Sequence, residues 1–133
     1  MDSLRGAGAL LGRIMLAYIF VQSGIEKIAG PAITMQYMAS AGLSHSLIPE
    51  LFVLSVVVEL LGGLMLVFGW YAEFAALSIF LWMIPVTIIF HVSTGETVEW
   101  EKNLAIMGGL LMVAVLGPGG FSLGGVRGRR RMA

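Results

Sequence analysis

The chain has 133 residues, of which 58% are hydrophobic and only 12% are charged, and its mean hydropathy is +0.92. Soluble domains carry about 25% charged residues, so a water-soluble fold of this length would lack the polar surface to cover its apolar side chains. The net charge is zero and cysteine is absent, which excludes structural disulfides, thiol redox chemistry and cysteine-ligated metal centres. We expect one membrane domain over residues 1–125 and a basic tail over residues 126–133.

Four apolar stretches approach the roughly 20 residues that a helix needs to cross the hydrocarbon core. The predicted spans are residues 6–25, 48–70, 73–91 and 103–117. Arg13 lies inside the first stretch and no small-residue cleavage site follows it, which argues against a cleaved signal peptide. Gly117 and Pro118 are expected to stop the last helix. The sequence therefore predicts an all-α membrane protein with four transmembrane helices.

The loop between the first two spans is long enough to contain a helix of its own. Pro31 suits the first turn of a helix and Gly42 suits its end. The residues between them include Ile33, Met35 and Tyr37, which make the segment apolar although it is too short to span. We predict a short helix that lies along the outer interface or covers the mouth of the bundle.

The placement of the basic residues predicts the orientation of the chain. Arg5 and the tail arginines 127 and 129–131 share one side of a four-span arrangement, whereas the opposite side has Lys27 and Lys102 among several glutamates. We therefore expect both termini in the cytoplasm and a multi-pass protein of a bacterial or archaeal inner membrane. The tail favours contact with anionic lipid rather than with nucleic acid, because it follows a membrane span.

Two charged residues fall inside the predicted spans, where charge is costly. Glu59 lies near mid-membrane, and Arg13 lies closer to the cytoplasmic face by about the length of an arginine side chain at 1.5 Å per residue. An Arg13–Glu59 ion pair is expected, either as a functional centre with Glu59 accepting protons or binding a ligand, or as a structural tie. Ser55, Glu59 and Gly63 form a small, polar i, i+4 stripe beside it.

A second polar cluster is predicted at the outer ends of the helices, where the mouth of the bundle would lie. Its candidate ligand-binding residues are Gln22, Thr87, His91, Lys102 and Asn103. His91 is suited to carry protons near neutral pH or to donate a hydrogen bond to a quinone carbonyl. The alternative is that these are hydrated helix ends, with Lys27 and Lys102 extending to water. With two histidines and no cysteine, no metal site is expected.

Several short runs are similar to the DoxX family. The first helix resembles the family's opening in residues 12–20, Gly-Arg-Ile-Met-Leu-Ala-Tyr-Ile-Phe, and 23–27, Ser-Gly-Ile-Glu-Lys. Residues 41–43, Ala-Gly-Leu, 58–64, Val-Glu-Leu-Leu-Gly-Gly-Leu, and 102–105, Lys-Asn-Leu-Ala, together with Gly108 and Gly109, continue the similarity in order. The resemblance implies a four-helix inner-membrane fold, and it places Arg13, Lys27, Glu59, Lys102 and Asn103 at the polar motif positions.

The resemblance also implies an association with respiratory, sulfur or oxidative-stress redox chemistry, since branches of the family are named as subunits of quinone-linked oxidoreductase systems. One hypothesis is a subunit of such a complex, which binds a quinone or docks a redox partner while Glu59 and His91 handle protons and Arg13 keeps Glu59 ionised. The other is a non-enzymatic scaffold, assembly factor or small-molecule binding protein, with a second copy of the chain as an alternative partner. A transporter is less favoured, because four helices without inverted repeats do not form the usual transporter architecture.

Overall fold

A computed structural model describes residues 2–124, which form five helices. The helices are α1, Asp2–Ala29; α2, Pro31–Ser40; α3, Ile48–Phe68; α4, Ala72–Val92; and α5, Thr97–Leu116. No strand occurs within this part of the chain, so the predicted all-α class is confirmed. The predicted basic tail over residues 126–133 lies outside the described residues.

Three of the described helices are long and apolar enough to cross a membrane. They are α1 with 28 residues and α3 and α4 with 21 each, whose lengths at 1.5 Å per residue reach or exceed the roughly 30 Å hydrocarbon core. Helix α5 has 20 residues but carries Glu99, Glu101 and Lys102 in its first turns. The predicted boundaries agree with the three long helices to within a few residues, except that α1 extends further at both ends.

The helices run alternately up and down between two ends of the bundle. We call the end where α1 and α4 begin and α3 and α5 stop the proximal end, and the opposite one the distal end. Buried side chains from four helices pack together in a shared core: Ala17 of α1, Leu66 of α3, Ile79 of α4 and Leu110 of α5. Because lipid tails are as apolar as these side chains, close van der Waals packing holds such helices together.

Small residues bring α1 and α3 close together. A Cβ atom at Gly24 would lie 2.6 Å from the Cβ of Leu60, and one at Gly63 would lie 2.9 Å from a methyl group of Val21. Glycine at both positions is therefore required by the helix separation, as expected of small residues at membrane helix contacts. These contacts also fix which residues of the two antiparallel helices lie at the same height.

Two helices contain a turn of π-helix, and each turn includes a residue that the sequence singled out. Val57–Leu61 interrupts α3 and contains Glu59, and Ile88–Val92 ends α4 and contains His91. Pro85, which has no N–H to donate, precedes the second turn within α4. Since π-turns are rare and frequently occur at functional sites, their positions draw attention to these two side chains.

Helix α2 covers part of the distal end. Met38 is buried against Ile48 at the start of α3 and Phe90 near the end of α4, and the Tyr37 and Phe90 rings stack with their centroids 5.0 Å apart. The predicted short helix after Pro31 is confirmed. Its placement along a membrane interface stays a prediction.

The carbonyl groups that end α3 at the proximal end all have partners. The N–H groups of Trp70 and Gly69 bond the carbonyls of Met65 and Leu66, with Gly69 in the left-handed region at φ 67°. The Phe68 carbonyl accepts from the N–H of Leu123 at 3.0 Å, as the chain returns after α5. Helix ends leave four carbonyls unpaired, and the remaining one, of Val67, is taken by a side chain described below. The expected stop after α5 is confirmed, since the helix ends at Leu116 and Gly117 has φ 85°.

Candidate functional site

The guanidinium group of Arg13 is almost fully buried, with 2% of the residue exposed. Its Nη1 donates to the carbonyls of Leu66 at 2.7 Å and Val67 at 2.9 Å, and its Nη2 donates to the carbonyl of Phe121 at 2.5 Å. The first two carbonyls belong to the last turn of α3, where the helix dipole is negative. Arg13 therefore caps α3 and fastens the segment after α5 to it.

The expected Arg13–Glu59 ion pair is wrong, and the register of α1 against α3 explains why. Arg13 lies level with Leu66 and Val67, about 10 Å further along α3 than Glu59 at 1.5 Å per residue. A long side chain could span part of that distance, but the carbonyl groups beside it already use its donors. Depth from one membrane face, estimated separately for each helix, does not fix this register.

Glu59 forms its ion pair with Lys27. Glu59 Oε2 accepts from the Lys27 ammonium group, and the Ser23 hydroxyl lies 3.5 Å from the same oxygen. Ser23 and Lys27 are four residues apart and therefore share a face of α1. The two charged side chains keep 17% and 12% of their surface exposed. This Lys27–Glu59 site is thus an ion pair between two candidate membrane spans that is still partly accessible.

Lys27 and Ser23 are the site residues that sequence reasoning passed over. Lys27 was expected to extend to water at the helix end, yet its ammonium group turns toward α3. Two signals were available: the i, i+4 spacing from Ser23, and the place of Lys27 among the polar positions of the family resemblance. Ser55 is buried and donates to the carbonyl of Phe52 in its own helix, at 2.7 Å, and among the described residues no hydrogen bond joins it to Glu59.

The predicted distal cluster is only partly assembled. The Asn103 amide donates to the Thr87 hydroxyl at 3.2 Å, and both residues are buried, which ties α4 to α5. Gln22 instead bonds Glu26 on its own helix at 3.1 Å. Among the described residues, three of the five candidates therefore make separate local contacts, and the Thr87–Asn103 pair joins two helices.

His91 and Lys102 pair with carboxylates near the connection between α4 and α5. His91 Nδ1 lies 2.8 Å from Glu96 Oε2, and Lys102 Nζ lies 2.5 Å from Glu99 Oε2. Burial, together with the nearby Glu96 and Glu99 carboxylates, raises the pKa of the Tyr37 phenol, so that ring stays neutral. The structure thus gives His91 a carboxylate partner in the connection between α4 and α5.

No group of three or more His, Asp or Glu side chains suited to hold a metal ion occurs within residues 2–124. A groove of about 2150 Å³ opens between α1 and α5, mainly in the proximal half, and Arg13 is among its lining residues. The groove and the Lys27–Glu59 site are separate, since neither Lys27 nor Glu59 lines the groove.

The apolar helices and the polar groups between them define a helical integral membrane protein. The DoxX family model matches residues 8–92, and the chain belongs to the DoxX family. The chain is 34% identical to inner membrane protein YqjF of Escherichia coli over 92% of its own length and 94% of that protein's. It is also 30% identical to inner membrane protein YphA of the same organism, over 86% of each chain. No solved structure matches the chain.

Proposed function

We propose that the protein is an accessory subunit of an inner-membrane redox system, and that the Lys27–Glu59 site is its functional centre. The observation that carries the proposal is a partly accessible ion pair that joins Glu59, in the π-turn of one candidate span, to Lys27 of another. Charges at such depth are costly and usually functional. The inner-membrane relatives support the location, and the family resemblance supports the redox association.

The chemistry of the site fits a quinone head group. The Lys27 ammonium and the Ser23 hydroxyl are donors for a quinone carbonyl, and the Glu59 carboxylate is an acceptor for the proton of a quinol hydroxyl. Both charged side chains are partly exposed, so a flat ring could approach their edge without unfolding either helix. Because the chain lacks cysteine, electrons would have to come from a bound quinone or a docked redox partner.

One observation favours a second candidate function. Glu59 Oε2 contacts both Lys27 and Ser23, so the pair is satisfied without any ligand, as a structural tie between α1 and α3 would be. In that case the protein is a scaffold, an assembly factor or a small-molecule binding protein, with the ion pair holding the fold.

The distinguishing experiment compares Glu59→Gln with the charge-swapped double variant K27E/E59K. Each protein is purified from its native membrane in mild detergent, and mass spectrometry scores bound quinone and protein partners, while thermal unfolding scores the fold. We expect stoichiometric quinone or a redox partner with the wild-type chain and about a tenfold loss in Glu59→Gln, as a lost charged hydrogen bond predicts. The control is Glu26→Gln, which removes a carboxylate whose one hydrogen-bond partner among residues 2–124 is Gln22.

The double variant separates the two functions because it keeps an ion pair but reverses its direction. The redox proposal expects K27E/E59K to unfold near the wild-type temperature and still fail to retain quinone or redox partner. The redox proposal is overturned, and the scaffold function stands, in either of two cases. In the first, K27E/E59K retains quinone or redox partner as well as the stability of the wild type. In the second, only partners without redox chemistry are found and Glu59→Gln keeps them.

We further propose that α5 is a fourth span and that both termini face the cytoplasm. Helix α5 has 20 residues, is apolar after Asn103, and packs along α4 in the opposite direction. At 1.5 Å per residue it is about 30 Å long, which matches the hydrocarbon core. Its charged first turns would then lie in the outer interfacial layer, and the proximal end would be the cytoplasmic one.

A further inference from the structure

The groove between α1 and α5 is formed because these two helices touch at few points. Leu16 of α1 packs against Gly109 of α5, but one face of α1 from Arg5 through Gly12 to Ile19 lines open space. That face covers about 21 Å at 1.5 Å per residue. A cleft of this length is comparable with one leaflet of a bilayer, which is about half of the 30 Å core.

The walls of the groove change from apolar to charged toward its proximal end. Most of the lining from the middle of the bundle outward is apolar or glycine, as at Met15, Ile19 and Gly109. Within the described chain, charged residues line only the proximal end, where Asp2, Arg5, Arg13 and Glu73 contribute to it. An apolar channel with one charged end is complementary to an amphiphile rather than to a second apolar helix.

Among residues 2–124, the charged side chains at that end form no ion pairs. Arg13 bonds only to backbone carbonyls and forms no ion pair with a carboxylate of residues 2–124, and its Nε–H has no acceptor there. Asp2, Arg5 and Glu73 also form no ion pair within the described chain. Buried charge without a counter-charge is costly, so an anionic group near Arg5 and Arg13 would be stabilised.

We propose that this groove binds a membrane phospholipid with a zwitterionic, amine-bearing head group. Its phosphate would accept hydrogen bonds from Arg5, with the buried charge of Arg13 adding attraction through space. Its ammonium group would face the Glu73 carboxylate, and one acyl chain would lie along the apolar wall past Gly12. Because basic and acidic side chains both line the proximal end, a head group with charges of both signs is complementary to it.

The test uses native mass spectrometry of the full chain released from nanodiscs that contain equal parts of phosphatidylethanolamine and phosphatidylglycerol. We expect one retained phosphatidylethanolamine per chain. Arg5→Gln should lower its retention about tenfold, the effect of one charge-assisted hydrogen bond. Glu73→Gln should keep a lipid but shift it toward phosphatidylglycerol, since the partner of the ammonium group is lost. Lys102→Gln, at the distal end, is the control for a change of net charge.

A matched pair of glycine variants tests the path of the acyl chain. Gly12 lines the groove and Gly8 does not, yet a Cβ at either would meet nothing within 4 Å. Gly12→Leu should therefore displace the lipid while Gly8→Leu retains it, with both folding normally. The proposal is overturned if the wild-type chain retains no phospholipid, if Gly12→Leu retains as much as Gly8→Leu, or if the wild type is a lipid-free dimer that Gly12→Leu dissociates.

Discussion

Arg13 supplies donors to carbonyl groups that a helix end leaves without partners. It completes the pairing at the end of α3 by bonding Leu66 and Val67, and it reaches Phe121 in the returning chain. Hydrogen bonds to charged groups contribute about 1.5–3 kcal/mol each in water, and no water inside a bilayer can replace them. A charged residue within a candidate span can thus be explained by backbone chemistry alone.

Replacing Arg13 with methionine should lower the stability of the whole bundle. Arg13→Met keeps much of the side-chain volume but removes every donor, so we expect a loss of about 3 kcal/mol. Arg13→Lys should lose less, because its single ammonium group can still bond one or two of the carbonyls. Thermal unfolding in detergent measures both variants. In detergent without phospholipid, Arg5→Met, at an exposed arginine of the same helix, is the control and should change stability by no more than about 0.5 kcal/mol.

An unfolding temperature for Arg13→Met equal to that of the wild type would contradict this interpretation. It would mean that the carbonyl cap contributes nothing and that Arg13 is kept for another purpose. The phospholipid proposal above does not depend on this outcome, since its direct head-group contact is Arg5.

At the level of the helices, the contact between α1 and α3 sets the register that brings Lys27 to Glu59. Gly24→Ala would place a methyl group 2.6 Å from the Cβ of Leu60, which forces the two helices apart. Overpacking of this kind costs about 1–3 kcal/mol, so we expect a lower unfolding temperature and a weaker Lys27–Glu59 pair.

Gly8→Ala is the matched control on the same helix. Nothing lies within 4 Å of a Cβ there, and alanine favours a helix over glycine by up to about 1 kcal/mol. The variant should be neutral or slightly stabilising when unfolded in the same detergent. If both glycine variants destabilise equally, backbone conformation rather than helix separation explains the effect at Gly24.

The helices were predictable from sequence because their signals are local. Apolar length located α1, α3 and α4, Pro31 marked the start of α2, and Gly117 marked the end of α5. The pairing of Arg13 and of Glu59 was not predictable in this way. It depends on which turn of α1 faces which turn of α3, and the contact of Gly24 with Leu60 that decides this is visible only after the helices are packed.

The π-turns were also beyond the reach of sequence periodicity. A π-turn changes the side-chain direction within one turn, whereas the i, i+4 stripe from Ser55 through Glu59 to Gly63 assumes an unbroken α-helix. Val57–Leu61 lies between Ser55 and Gly63. This local change is consistent with Ser55 bonding its own helix while Glu59 reaches Lys27 on α1.

For the molecule as a whole, the proposed four-span topology can be tested with single cysteines, since the chain has none of its own. Ser44→Cys, in the connection between α2 and α3, should react with a membrane-impermeant maleimide on intact spheroplasts. Ser3→Cys and Ala133→Cys should react only after the membrane is opened, because the basic residues near both termini favour the cytoplasm. Reaction of Ala133→Cys on intact spheroplasts would show that α5 does not cross.

The link from Arg13 to Phe121 joins residues that lie 108 positions apart in the chain. The N–H groups of Leu123 and Gly124 donate to the carbonyls of Phe68 and Gly69 in the same region. The turn between α3 and α4 therefore gains these hydrogen bonds only after residues some 50 positions later have been synthesised. Until then, the Arg13 guanidinium group lacks the carbonyl of Phe121, and the carbonyls of Phe68 and Gly69 lack these N–H donors. Synthesis of residues 121–124 is thereby coupled to closure of the bundle, and a product that stops before residue 121 keeps polar groups of Arg13, Phe68 and Gly69 without these partners.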